Sequence, residues 1–278
     1  MKIVTEHKHI GNIPFITIMQ DNSYQKPVVV YLHGFGSDKE QGIEYGYHLA
    51  KAGMACLAFD ACHHGERSTP QIEKLFNKKD LSYPEETGLD FWLLMHECIV
   101  QTYEDLHAVL HNLKDDKRLD LTRLGVTGFS MGACAAFYLA SRMPKINALV
   151  PISGVGMFAR RFQDILDELD TDESVSAKMA GIADLTEKWH KYLHAHDPFP
   201  KIAEFCDKPV CIICGEKDID QPKHYSVSMY KFLKKLYADS PGNLQLKLYD
   251  AAHELTPDMI HDACSWFQKH IFLLNKDS

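Results

Sequence analysis

The run Arg123-Leu-Gly-Val-Thr-Gly-Phe-Ser-Met-Gly-Ala-Cys-Ala-Ala-Phe137 changes its period abruptly in the middle. Up to Thr127 it is short and apolar, the composition of a buried strand. From Met131 to Arg142 it is rich in alanine and small residues and reads as a helix. Between the two sits Gly128-Phe129-Ser130-Met131-Gly132, a G-x-S-x-G pattern. Chance yields that pattern about 0.05 times in a chain of this composition, so the flanking elements must carry the reading. A strand, a tight turn and a helix form the setting in which a strained turn lifts a serine hydroxyl above a sheet. Glycine is needed on both sides because a Cβ there crowds the turn or its neighbours.

Outward from this turn, short apolar runs alternate with helical patterns. Lys2–Ile10 and Ile13–Met19 read as two strands joined at Gly11-Asn12, a hairpin signal. Pro27–His33 and Met54–Phe59 are near-continuous apolar runs, as expected of strands covered on both faces. A helix capped at Ser37-Asp38 and stopped by Gly53 separates them. From His63 to Ile99 the chain has helical pieces broken by Pro70 and Pro84, and Val100–Leu113 is a helix with apolar residues at 3.6-residue spacing. Further strands are expected at Ile146–Ile152, Pro209–Cys214 and Leu244–Tyr249, with helices at Lys223–Tyr237 and Pro257–Phe272. The sum is an α/β chain with a mostly parallel eight-stranded sheet and helices on both faces. In such sheets ligands bind at the carboxyl ends of the strands.

Those ends carry chemistry. A serine hydroxyl needs an imidazole to take its proton and a carboxylate to orient that imidazole. After Pro209–Cys214 comes Gly215-Glu-Lys-Asp218-Ile-Asp220, and after Leu244–Tyr249 comes Asp250-Ala-Ala-His253. The order Ser130, Asp218, His253 suits a nucleophile turn built on this kind of sheet. Asp218 is preferred as the acid, with Asp220 the runner-up and Glu216 and Asp250 nearby. Acyl transfer also needs donors for the developing oxyanion. The N–H of Met131, opening the helix after the serine, is one candidate. The other is the N–H of Phe35, held between Gly34 and Gly36 in His33-Gly-Phe-Gly36.

Five motifs in order now resemble one family. His33–Gly36, Asp60-Ala-Cys-His-His64-Gly65-Glu-Arg67-Ser68, Gly128–Gly132, Gly215–Asp218 and His253 are similar to the motifs of the α/β-hydrolase superfamily. The likeness is greatest to small bacterial carboxylesterases of its dienelactone-hydrolase and prolyl-oligopeptidase-like branch, particularly those with His-Gly-x-Arg after the fourth strand. The resemblance implies an α/β-hydrolase fold and a serine esterase. It also implies that His33, Gly34 and His64 lie against substrate. One departure is His63, which stands where glycine is usual. Residues 154–208 fall where this superfamily carries a variable cap. Their apolar positions (Met157, Phe158, Phe162, Ile165, Leu166, Leu169) and interspersed acids make an amphipathic helix. We therefore expect one domain over 1–278, with 154–208 as a small helical lid.

Composition narrows the partners. Forty-five per cent hydrophobic and 24% charged residues suit a globular chain, and a net charge of −8 disfavours nucleic acid and anionic lipid. No apolar run is long enough for a membrane helix, and the first residues lack the apolar core of a secretory signal, so a cytoplasmic protein is expected. The eight cysteines read as free thiols. Among them, Cys211 and Cys214 have redox-motif spacing but sit inside a strand. His190 and His194, one helical turn apart, lack the carboxylates of a zinc hydrolase and read as a solvated face. The expectation is a cofactor-free and metal-free hydrolase of small-molecule esters, compatible with a homodimer. A thioesterase or short-peptide hydrolase uses the same groups. A silent ligand-binding module on the same fold is the alternative from another class.

Overall fold

The structure, a computed structural model, describes residues 1–70, 88–170, 183–205 and 208–272. Its frame is an eight-stranded sheet: β1 (Ile3–Ile10), β2 (Ile13–Gln20), β3 (Lys26–Leu32), β4 (Ala55–Phe59), β5 (Leu119–Phe129), β6 (Ile146–Ile152), β7 (Val210–Gly215) and β8 (Leu244–Tyr249). The spatial order is β1-β2-β4-β3-β5-β6-β7-β8. β1 and β2 form an antiparallel hairpin, β2 meets β4 antiparallel, and every later pairing is parallel. Gly11, at φ +55°, makes the tight hairpin turn.

Parallel strands covered on both faces need apolar residues at every position, with alternate residues serving opposite cores. β3 does this: Val28, Val30 and Leu32 enter one core while Val29 and Tyr31 enter the other. The first core is closed by helices α2 (Gly88–Leu113), α3 (Met131–Ala140) and α6 (Lys223–Leu236), the second by α1 (Gly42–Lys51) and α7 (Pro257–Phe267). Cys211 and Cys214 are buried in β7, and the seven described cysteines are free thiols. Among the described residues no helix is long and apolar enough to cross a membrane.

Three boundaries differ from the sequence reading. α2 begins at Gly88 rather than Val100, because Trp92, Met95 and Cys98 give its first turns a buried face of their own. Pro84 lies outside the described residues. β5 extends to Leu119–Phe129 because Lys26 and Pro27 pair with Leu119 and Asp120 before the register shifts. Asp38 does cap, but it caps a 3₁₀ turn at Lys39–Gln41 that leads into α1, its carboxylate accepting from the Glu40 N–H at 2.8 Å.

After β6 the described residues form α4 (Phe158–Asp170), α5 (Ala183–His196) and a 3₁₀ segment, Phe199–Phe205. Met157, Phe158, Phe162 and Ile165 are buried in the first core, while the side chains of Leu166 and Leu169 lie outside the described residues. Asp197 ties these pieces together. Its Oδ1 accepts from the N–H groups of Phe158 (3.2 Å) and Phe199 (2.9 Å), and its Oδ2 from Ala159 (3.1 Å). A carboxylate at a helix start satisfies donors that have no partner within the helix.

Candidate active site

The turn after β5 carries Ser130 at φ +55°, ψ −117°, a conformation a non-glycine residue holds only when its surroundings enforce it. Its N–H donates to the Ile152 carbonyl at 3.0 Å, anchoring the turn to β6. A Cβ on Gly132 would stand 1.9 Å from the Leu32 carbonyl oxygen, and one on Gly128 would stand 2.5 Å from the Gly132 backbone. Both glycines therefore let the turn close on itself and press against the end of β3. Met131 opens α3, so its N–H precedes the first intrahelical bond and lies at the positive end of the helix dipole.

The loops after β7 and β8 are fastened to each other by backbone bonds. Glu216 N–H donates to Tyr249 O (2.8 Å) and Lys217 N–H to Ala251 O (3.0 Å). A Cβ on Gly215 would lie 2.4 Å from Ala251 O, so glycine is what permits this approach. The result brings three distant side chains into one hydrogen-bonded chain. Asp218 Oδ2 lies 2.8 Å from His253 Nδ1, and His253 Nε2 lies 2.9 Å from Ser130 Oγ. One tautomer satisfies both contacts: Nδ1–H donates to the carboxylate and Nε2 accepts the serine O–H. Asp218 Oδ1 accepts the Gln221 N–H at 2.8 Å, and its side chain is wholly buried. The Phe129 ring packs 4.9 Å from the imidazole. The other acids are placed differently. Asp220 is exposed and brings a carboxylate oxygen within 4.8 Å of Asp218 and His253 without a hydrogen bond to the imidazole, Glu216 pairs with Lys223 at 3.3 Å, and Asp250 pairs with Lys217 at 2.5 Å.

The loop after β3 lies beside the serine, for the Cβ position of Gly34 is 3.7 Å from Ser130 Cβ. Gly34 N–H donates to Gln41 Oε1 at 2.8 Å, and the same oxygen accepts the Tyr31 hydroxyl at 3.2 Å. Gln41 was not legible as a loop-shaping residue, since nothing in its local pattern separates it from a solvated glutamine. His33 departs from the expected substrate contact. It is buried, its Nδ1–H donates to Gly34 O (2.8 Å) and its Nε2 accepts the Ala61 N–H (3.0 Å), so both nitrogens hold loops rather than ligand. Burial pushes its pKa below the usual imidazole range. His64 bonds through Nδ1 to the Cys62 carbonyl at 2.9 Å, and its buried Nε2 has no hydrogen-bond partner among the described residues. Burial, then the neighbouring His33, lowers its pKa to about 4. Its ring stands edge-on to Phe35, centroids 4.9 Å apart.

The loop after β4 is built around Asp60, which is fully buried. Its oxygens accept from Lys39 N–H (2.8 Å), Lys39 Nζ (3.0 Å) and Glu66 N–H (3.0 Å). Gly65, at φ +54°, is forced: a Cβ there would meet Asp60 at 2.4 Å. Lys39 is buried and also reaches Glu66 Oε1 at 2.7 Å. Arg67 donates to Asp60 O and pairs with Asp105. Thus the aspartate, glycine and arginine of this motif act on the shape of the loop. His63 sits at φ +63° with Thr69 Oγ1 3.3 Å from its Nδ1. Together with His9, Cys62, Glu66, Arg67 and Thr69 it lines a cavity of about 360 Å³ that none of Ser130, Asp218 and His253 borders.

Comparison with known proteins agrees with this architecture. A family model described as the alpha/beta hydrolase fold matches residues 27–186. The YitV protein of Bacillus subtilis (strain 168), provisionally named an esterase, is 23% identical over 272 residues, covering 97% of this chain and 100% of that protein. Esterase YjfP of Escherichia coli (strain K12) is 21% identical over 280 residues, with 97% and 100% coverage. Among solved structures, TT1662 from Thermus thermophilus superposes with a TM-score of 0.70 at 19% identity, covering 97% of this chain and 98% of that one.

Proposed function

The chain belongs to the α/β-hydrolase family, and on that footing we propose that it is a serine carboxylic-ester hydrolase of small acyl esters. The observation that carries the reading is the unbroken path from Ser130 Oγ through His253 to Asp218, with both contacts below 3 Å. The names of the two curated relatives support it as well.

In this reading Ser130 Oγ attacks the acyl carbonyl while His253 Nε2 takes its proton. Asp218 keeps the imidazole in the accepting tautomer and stabilises the imidazolium that forms. The N–H groups of Met131 and Phe35 are the oxyanion donors, a role in which removal of a single donor typically costs about 2.7–4 kcal/mol. His253 then protonates the leaving alcohol, and water attacks the acyl-enzyme by the same route reversed. Strain at Ser130 suits such a role, because a nucleophile held above the sheet needs no rearrangement to react. We assign α4 and α5 as the cap over this centre. A short cap of this kind, rooted in the first core by Phe158, Phe162 and Ile165, suits small esters better than polymers.

A fluorophosphonate probe tests the reading directly. It labels Ser130 in the wild-type chain and leaves Ser130→Ala unlabelled. The same substitution lowers turnover of p-nitrophenyl acetate by roughly three orders of magnitude or more, and adding His253→Ala to it lowers turnover little further. A Ser130→Ala chain with undiminished turnover defeats the proposal. A panel of esters, acyl thioesters and aminoacyl amides then separates ester from thioester or amide preference.

A further inference from the structure

The loop after β4 and helix α2 together hold two thiols that the chemistry above does not use. Cys62 borders the 360 Å³ cavity and retains 9% exposure, whereas Cys98, on α2, is fully buried. The Cys98 S–H donates to the Cys62 carbonyl at 3.1 Å, so the sulfur of one cysteine lies directly against the main chain of the other. A sulfur held this close to the other cysteine's backbone needs only side-chain rotation and a small approach to reach the bond length of about 2.05 Å in a disulfide. The pair also adjoins the proposed site. Cys98 Sγ lies 3.8 Å from His64 Nδ1, which is itself bonded to Cys62 O, and the His64 ring abuts Phe35.

We propose that Cys62 and Cys98 are an oxidation site for small hydroperoxides, whose disulfide form slows the hydrolase. The Cys62 thiolate, reached through the cavity, attacks the terminal peroxide oxygen. The O–O bond breaks, the alkoxide or hydroxide departs with a proton, and Cys62 becomes a sulfenic acid. Cys98 sulfur then attacks Cys62 sulfur. The S–O bond breaks, and the Cys98 proton leaves with the hydroxide as water. The sum is two thiols and one hydroperoxide giving one disulfide, one alcohol (or water) and one water, with two electrons passing from sulfur to oxygen. Hydrogen bonding to Cys62, and then burial, raises the Cys98 pKa, so Cys62 rather than Cys98 meets the peroxide first. Closing the bridge draws α2 and the loop together and moves the His64 ring against Phe35. The effect on turnover rests on the reading of the Phe35 N–H as an oxyanion donor, whereas the cross-link itself does not.

The full chain, reduced and then treated with hydrogen peroxide, is blocked with N-ethylmaleimide and digested for peptide mass mapping, while p-nitrophenyl acetate hydrolysis is followed in parallel. The expected result is a Cys62–Cys98 cross-link, a fall in kcat of roughly tenfold with KM little changed, and recovery with dithiothreitol. Cys62→Ser and Cys98→Ser keep the reduced turnover and become insensitive to peroxide. Oxidation of Cys62 to sulfinic acid without a cross-link overturns the site, and a cross-link that leaves kcat unchanged overturns its coupling. A chain that hydrolyses no ester defeats the hydrolase reading instead, and the peptide map alone then decides the oxidation site by the presence or absence of the bridge.

Discussion

Asp218 and Asp220 stand two residues apart in one loop and both lie near His253, yet they differ in burial and in hydrogen bonding. Asp218 is sequestered, takes one backbone N–H on Oδ1 and meets the imidazole with Oδ2, while Asp220 faces solvent. Only a carboxylate with both oxygens fixed can hold an imidazole in one tautomer, because an exposed one rotates and is hydrated. The difference sets an expectation for a pair of isosteric changes. Asp218→Asn lowers kcat on an activated ester by roughly 10³–10⁴-fold through the wrong tautomer, whereas Asp220→Asn, which removes an exposed charge and no hydrogen bond to the imidazole, lowers it at least about a hundredfold less. Steady-state kinetics of the two variants decide, and equal losses would remove Asp218 from its assigned role.

Among the elements, the loop after β4 shows how a motif can serve shape. Asp60 and Lys39 form a buried ion pair from two segments, with side-chain exposures of 0% and 5%. Burial lowers the Lys39 pKa while its two carboxylate partners raise it, and the net direction is upward, so the ammonium stays charged. Removing one member of a buried pair strands the other charge, at a cost of about 3–5 kcal/mol. Asp60→Ala is therefore expected to lower unfolding free energy by that amount in urea titrations. Glu66→Ala, at the exposed end of the same network, should have a much smaller effect. A neutral result for Asp60→Ala would mean that the loop is not held by this pair. Lys39 itself was not foreseeable from local pattern, since a lysine flanked by Asp38 and Glu40 reads as solvated surface.

For the molecule as a whole, the parallel order β4-β3-β5-β6-β7-β8 lines up the carboxyl ends that carry His64, Phe35, Ser130, Asp218 and His253 along one rim. Folding also buries several imidazoles in neutral form. His64 and His270 are pushed down to about 4 and His96 to about 3, each chiefly by burial, and His33 is lowered as well. Below the ordinary value of 6.5 the unfolded chain binds these protons and the folded one does not. Stability is therefore fully present above pH 6.5 and falls as the pH drops toward 4. Each fully buried histidine contributes on the order of 1 kcal/mol per pH unit in that window. The urea midpoint should be nearly level from pH 8 to 7 and clearly lower at pH 5, above the range where carboxylates titrate. A midpoint unchanged between pH 7 and 5 would contradict the neutral burial of these side chains.

Local pattern alone determined the alternation of strands and helices, the glycine-flanked serine turn, and the order in which serine, acid and histidine occur. These follow from side-chain period and turn chemistry, which act over a few residues and leave their mark in the chain itself. The folded arrangement decided which carboxylate meets His253, that the nitrogens of His33 hold loops, that Gln41 and Lys39 shape the rim, and that the Cys98 thiol meets the Cys62 carbonyl. Each of these is a contact between segments remote in sequence. Its partner depends on how loops pack over the sheet, and no run of adjacent residues encodes that packing.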